Sequence, residues 1–509
     1  MTGPATVLLR GGHVTGTAGA TAMLTEGSLV AWVGQDDSAP PAAEVVDLEG
    51  AVVAPAFVDA HVHATHTGLA LDGLDLTGAM SLPDALDRLS TYARAHAGSV
   101  VIGTGWDDTR WPERRPPTSG ELDRAAGGRP VYLSRVDVHS AVASSALLSA
   151  APQAAAEIGF GSNGFVALAA HHVIRKAAYD SVDPAMRASA QRSTRRRAVE
   201  LGIGAFHEMG GPDIAGEADF VSVLRIAGDE PGPDVFGYWG ELGAIDRARE
   251  LGAVGAGGDL FVDGSVGSHT CWLSQPYADA DTRGHCWITA AQIGEHVVAC
   301  ARSRMQTGFH AIGDAALHAV LVGFQTATDV VGSYAIGKGR HRIEHAELVD
   351  DPASFARHGL IASVQPAFDA RWGGAAGMYV DRLGPDRAKR MNPLSGFAAA
   401  GVPLVFGSDA PVTPLDPWGT LRAAVRHRTP GFGVTYRQAF EAHTVHGWRA
   451  VHVDHAGMLL PGQPASYAVW QATALDADTG LPDLDAPDPV CLRTVIRGET
   501  VFAREGALA

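Results

Sequence analysis

Eight short apolar runs, spread through the middle of the chain with helical patterns between many of them, restrict the fold more than any other feature. They are AFVDAHVH (56–63), GIGAFHE (202–208), DVFGYWG (234–240), DLFVDGS (259–265), TGFHAIG (307–313), HRIEHAEL (341–348), LIASVQP (360–366) and VPLVFGSD (402–409). Runs this short, alternating with longer helical segments, are the pattern of βα units on a parallel sheet. Helix starts are marked as well: Asp183-Pro184 opens one long segment, Thr289 precedes AAQIGEHVVACARSRM, and Asp314 precedes AALHAVLVGF. Eight strands with intervening helices predict an α/β fold, a (β/α)8 TIM barrel.

One interval breaks the rhythm. About 138 residues separate His63 from the next run at Gly202, more than a helix and its loops require, so an inserted subdomain is expected at about 66–185, after strand 1. The two ends of the chain read differently from the middle. TVLLRGGHVTG, SLVAWVG and EVVDLEGAVVA near the start, and SYAVWQAT and CLRTVIRGETVFAREG near the end, are strand and hairpin text. The predicted organisation is therefore a small β-sandwich domain built from residues 1–55 and 456–509, around a barrel at 56–455. A content of 61 glycines in 509 residues fits many tight turns between buried elements.

The net charge of −17 argues against a nucleic-acid surface or an anionic membrane as partner. Neither a signal peptide nor a run of 18 apolar residues is expected. Four cysteines without CxxC spacing fit a reducing, cytoplasmic setting. The expected partner is a small-molecule substrate, and a homodimer stays open. Residues 159–164, GFGSNG, spell GxGxxG, but no apolar strand precedes them, so they read as a loop.

The chemistry concentrates at strand ends. His61 and His63 lie two apart, so on a strand both imidazoles face one side and can share a metal. His310 sits in strand 5, His345 in strand 6 and Asp409 at the end of strand 8. In a parallel barrel those ends converge on one face, where active sites are built. Any one of these residues alone reads as a satisfied core or loop residue. Five together, in order along the strands, do not read as packing, because buried His and Asp cost free energy unless paired or coordinated.

This constellation resembles the metal centre of the amidohydrolase superfamily. FVDAHVH, GTGWDDTRW, RVDVHSAVASSALL, FVDGSVGSHT, FHAIGDAALHAVL, HRIEHAEL, SVQP and GSDAPV together resemble its YtcJ-like branch, which includes N-substituted formamide deformylases. The resemblance covers nearly the whole chain and implies a metal centre made of His61, His63, His310, His345 and Asp409. Relatives usually carry a lysine where this chain has Asp259, and that lysine, carbamylated, bridges two metals. Aspartate is shorter, so a simple replacement is expected to leave the bridge short, with Glu208 in AFHEMGG or Asp259 itself as candidate substitute ligands. Leu168 stands where relatives often have Glu. Trp106, Trp111, His139 and Arg342 are candidates to line the substrate pocket.

These expectations converge on metal-dependent hydrolysis of a non-peptide C–N bond in an amide, formamide or cyclic amide, by metal-activated water. One or two Zn²⁺ ions are expected, with other divalent metals open. Asp409 is the expected general base, and His345 or neighbouring His341 the candidate to stabilise the oxyanion. Two other readings stay open: a non-catalytic barrel relative acting as a binding or scaffold protein, and lyase or decarboxylase chemistry on the same metal site.

Overall fold

The computed structural model describes residues 5–135 and 140–508. They form two compact units, one of residues 1–63 with 195–509 and one of residues 64–194.

Seven of the eight apolar runs are barrel strands: β1 (Phe57–Val62), β2 (Ile203–Gly210) and β3 (Asp234–Trp239), then, after a short β4 (Gly255–Ala256), β5 (Gly308–Ala311), β6 (Arg342–His345), β7 (Ile361–Val364) and β8 (Leu404–Phe406). They pair in parallel in the orders β4-β3-β2-β1 and β5-β6-β7-β8. Single parallel bridges join the two halves: Val62 with Ala410 on one side, Gly255 with Gln306 and Phe261 with His310 on the other. The result is a closed TIM-barrel-type α/β fold. Strands buried on both faces explain why the runs are continuous rather than alternating; every residue of β1 and β2 is buried.

The fourth run departs from the expectation. DLFVDGS is not a ladder strand; the fourth strand is the Gly255–Ala256 pair just before it. Gly257 (φ +148) and Gly258 (φ +83) then take backbone conformations that side chains disfavour, and a Cβ on Gly257 would lie 2.3 Å from the Gly308 nitrogen. The chain leaves the ladder there and touches it again at Phe261. Asp259 rides on this detour.

Helices follow the strands, with caps that the sequence shows. Thr289 and Gln292 form a capping box on helix Ala290–Arg302. The Asp183 carboxylate accepts from the N–H groups of Ala185 and Met186 at 2.9 and 2.8 Å, capping helix Pro184–Glu200. The helix expected after Asp314 begins at Asp314 itself, with Gly313 as its cap.

The chain ends build two sheets. One contains strands Thr6–Arg10, Ala22–Glu26, Leu29–Gly34 and Glu44–Asp47; the other joins His13–Val14 and Val52–Pro55 to the C-terminal strands Tyr467–Gln471, Val490–Ile496 and Glu499–Ala503. Tyr467–Gln471 runs antiparallel to Val52–Pro55. Leu9, Met23 and Val46 of the first sheet share one apolar cluster with Val53, Val469 and Val495 of the second.

The unit of residues 64–194 carries its own sheet, made of Leu74–Asp75, Val101–Trp106, Val131–Arg135, Ser140–Ala143 and Phe165–Ala167. Among the described residues no helix is long and apolar enough to cross a membrane.

Candidate metal centre

Four imidazoles and two carboxylates meet at the C-terminal end of the barrel. His61 and His63 come from β1 and the residue after it, His310 from β5, His345 from the end of β6, and Asp409 from the loop after β8. Asp259 stands between them. Its Oδ2 lies 3.3 Å from His61 Nε2 and 3.2 Å from His63 Nε2; its Oδ1 lies 3.5 Å from both His310 Nδ1 and His345 Nε2. Asp409 Oδ1 adds separations of 3.2 Å to His63 Nε2 and 3.5 Å to His61 Nε2.

These separations suit a coordination site as well as ion pairs. Ligands about 2.0–2.1 Å from a tetrahedral zinc stand ~3.3 Å from one another. His61, His63 and Asp259 come close enough to share one ion, as do Asp259, His310 and His345, and Asp409 Oδ1 lies within 3.5 Å of both His61 and His63. Moreover, Asp259 Oδ1 and His310 Nδ1 are buried without a hydrogen-bond partner, which a protein interior rarely tolerates.

Each imidazole is also tied on its outer side. His61 Nδ1 lies 3.0 Å from Glu344 Oε2, His63 Nδ1 3.0 Å from the Met209 carbonyl, His345 Nδ1 2.8 Å from Gln365 Oε1, and His310 Nε2 3.3 Å from the Gly264 carbonyl. All four partners accept only, so these nitrogens donate. In the neutral ring the inward nitrogen then carries the lone pair, the arrangement of metal-binding histidines. The donor set of nitrogen and oxygen suits a divalent metal ion.

Electrostatics agree. Burial alone would push the His63 ring down, but Asp259 and Asp409 outweigh it and raise His63 to about 10. His61 is raised well above its ordinary value against the same burial, by Asp259 and Asp409. Burial also works against Asp259, yet His61, His310 and His345 hold it well below the usual carboxylate range. The two carboxylates thus demand positive charge, which protons on the imidazoles or a cation can provide.

Backbone conformations at the site are unusual. His345 (φ 69), Ala346 (φ 46) and Asp409 (φ 54) are non-glycine residues in the left-handed region, at a cost of order 1–3 kcal/mol each. The Asp409 N–H donates to the His61 carbonyl at 2.8 Å and the Ala346 N–H to Ala311 at 3.0 Å, which hold the turns in place. The turn at His345 brings its ring beside His61, with centroids 5.1 Å apart, although the preceding Glu344 also reaches His61. Phe368 stacks on His345 at 6.0 Å, and Phe261 lies 4.8 Å from the His310 ring.

The structure gathers His61, His63, His310, His345, Asp409 and Asp259, and moves other candidates elsewhere. Asp259 reaches all four imidazoles, so the expectation of a short bridge fails: a side chain on the Gly257–Gly258 detour does not start from a regular strand position. Glu208 is buried on β2 and belongs to none of the three metal-ligand groups found among the described residues.

Arg342 does not line a pocket. It is fully buried inside the barrel, paired with Glu344, with its guanidinium 4.6 Å from the Tyr238 ring centroid. His341 is also fully buried; its Nδ1 accepts the Thr307 N–H at 3.0 Å and its ring lies 5.6 Å from that of Phe324, so it packs behind the strands. Trp106 and Trp111 are core residues of the 64–194 unit, their indole N–H groups donating to the carbonyls of Leu133 (2.8 Å) and Ala79 (3.0 Å). His139 lies outside the described residues.

Sequence reasoning passed over Glu344, Gln365 and Asp59. The last is buried on β1 and its Oδ1 accepts the Ser408 N–H at 2.8 Å, tying β1 to the segment after β8; burial first, moderated by Ser408, puts its carboxyl at about 6.

A closed parallel barrel with an HxH pair, two further strand histidines and an aspartate after the last strand offers a set of groups able to hold a divalent metal ion, as hydrolases of this fold do. The chain belongs to the amidohydrolase family, matched over residues 44–502, and is an enzyme that hydrolyses carbon–nitrogen bonds. It is similar to the putative amidohydrolase YtcJ of Bacillus subtilis (strain 168), 26% identical over 510 residues that cover 91% of each chain. It is also similar to the N-substituted formamide deformylase of Arthrobacter pascens, 24% identical over 547 residues and 96% of each chain. Among solved structures, an uncharacterized metal-dependent hydrolase from Pyrococcus furiosus superposes with a TM-score of 0.76 at 25% identity, covering 91% of this chain and 98% of the other. These relatives agree with the YtcJ-like branch that the motifs resemble.

Proposed function

We propose that this enzyme hydrolyses the C–N bond of a small amide, formamide or cyclic amide by metal-activated water, with Zn²⁺ as its ion. The observation that carries this reading is the shared carboxylate of Asp259 between two pairs of imidazoles whose outer nitrogens are all tied to acceptors. The formamide deformylase and YtcJ relatives support it, since they match along most of the chain.

A bound divalent ion supplies hydroxide at neutral pH, by lowering the pKa of its water from 15.7 to about 7, and polarises the scissile carbonyl. The chain's own residues do the rest. His61, His63, His310, His345, Asp259 and Asp409 would hold the ions. Asp409, its carboxylate ionised beside His61 and His63, accepts the attacking water's proton and returns it to the leaving nitrogen, so that the C–N bond breaks to an amine and a carboxylic acid. Its left-handed backbone, fixed by the hydrogen bond to His61, holds the carboxylate at the centre through both transfers. His345, with Nδ1–H donating to Gln365, turns its other nitrogen toward the same space as a ligand, which leaves the oxyanion charge to the ions themselves.

The test is a substrate panel of N-substituted formamides, simple amides and cyclic amides, assayed with zinc-loaded enzyme by product analysis. Release of amine or ring-opened acid, lost in Asp409→Asn, is the expected result. Turnover of none of these classes, or full turnover by the Asn variant, would overturn the reading.

A further inference from the structure

The four imidazoles are held from behind by unequal partners. His61 is backed by a carboxylate, Glu344, and His345 by a neutral amide, Gln365; His63 and His310 are backed by main-chain carbonyls. The donors in front are unequal too: Asp409 adds a second carboxylate to the His61–His63 side, 3.2 Å from His63 Nε2.

We propose that Glu344, clamped by Arg342, makes the His61–His63 side of the centre hold its divalent cation more tightly than the His310–His345 side, so that two ions load in sequence. This rests on the metal-centre reading above and adds to it an order of occupancy and a positioning pair. An acceptor behind a ligating histidine fixes the ring's tautomer and orientation and raises its basicity, and a carboxylate does so more strongly than an amide.

The clamp is thorough. Arg342 donates through Nε to Glu344 Oε1 and through Nη2 to Glu344 Oε2 at 3.0 Å, to the Ala60 carbonyl at 2.6 Å and to Ser363 Oγ at 2.7 Å. Its Nη1 donates to His207 Nδ1 at 2.8 Å. Glu344 therefore has one orientation, with Oε2 on the Nδ1–H of His61. On the other side, the Gln365 amide nitrogen is buried without a hydrogen-bond partner. Exchanging Gln365 for Glu gives up no hydrogen bond there and leaves the Arg342–Glu344 pair untouched.

The experiment titrates the metal-free full-length protein with Mn²⁺, reading free ion by electron paramagnetic resonance. The wild type should take up two equivalents in two resolved steps. Glu344→Gln should weaken the first step about 10–100-fold and leave the second where it was. Gln365→Glu should strengthen the second step and draw the two together; it decides the question alone if Glu344→Gln does not fold. A uniform structural role predicts that both steps move alike, and that result overturns the proposal. So do two equal steps in the wild type or an unmoved second step in Gln365→Glu. A wild type that binds no Mn²⁺ overturns the metal-centre reading as well, whereas ordered binding without amide turnover leaves this proposal standing and removes only the assigned reaction.

Discussion

Replacing Arg342 with Met should destabilise the metal-free protein by about 3 kcal/mol, and the structure gives the size of the effect. Arg342 and Glu344 are both fully buried. Burial pushes the Glu344 carboxyl up, but Arg342 first and His61 second outweigh it and hold the group at about 2 against an ordinary 4.5. By linkage that depression is worth ~3 kcal/mol, and breaking a buried pair by removing one partner costs about 3–5 kcal/mol. The sign is fixed: a depressed carboxylate stabilises above pH 4.5, and its contribution fades as pH falls from 4.5 towards 2. The assay is urea unfolding of the metal-free protein near pH 7, followed by tryptophan fluorescence. A double variant, Arg342→Met with Glu344→Met, should recover much of the loss, because two apolar side chains of similar volume leave no buried charge. A single variant within about 0.5 kcal/mol of the wild type, or a double variant as unstable as the two single losses added, would refute the argument.

Three further outcomes are expected. Asp409→Asn should lower turnover by about 10²–10⁴-fold, the usual worth of a positioned general base, while circular dichroism stays unchanged; wild-type rates would remove Asp409 from proton transfer. Zinc binding to the metal-free protein at pH 7 should release protons, because His63 is raised to about 10 and His61 is also raised when no cation is present; calorimetry in buffers of different ionisation enthalpy reads the number, and none released would contradict the assignment. Trp106→Ala should cost about 3–5 kcal/mol of stability in its own unit, measured by urea unfolding, since Trp106 is a buried core residue; an unchanged midpoint would return it to the pocket-lining role.

Much of the barrel and five of the six groups at its end can be read from sequence because the relevant signals are local. A strand buried on both faces is a short apolar run, and a candidate ligand at its end sits next to that run, as His61, His63, His310, His345 and Asp409 do. The reach of Asp259 is not legible from a regular strand, because Gly257 and Gly258 interrupt that strand; the glycine pair is the available signal. Arg342 and Glu344 stand two apart and share the barrel interior, a role that period-two alternation permits but that nearness to His345 obscured. The indole partners of Trp106 and Trp111, and the carbonyls behind His63 and His310, are main-chain atoms of distant segments and leave no mark in side-chain identity.

Crystals of the zinc-reconstituted protein, measured at the zinc absorption edge, test the central claim most directly. Two anomalous peaks are predicted, one among His61, His63 and Asp409 and one between His310 and His345, with the Asp259 carboxylate touching both. No peak at the end of the barrel, or a pair bridged by Glu208 with Asp259 turned away, would contradict it.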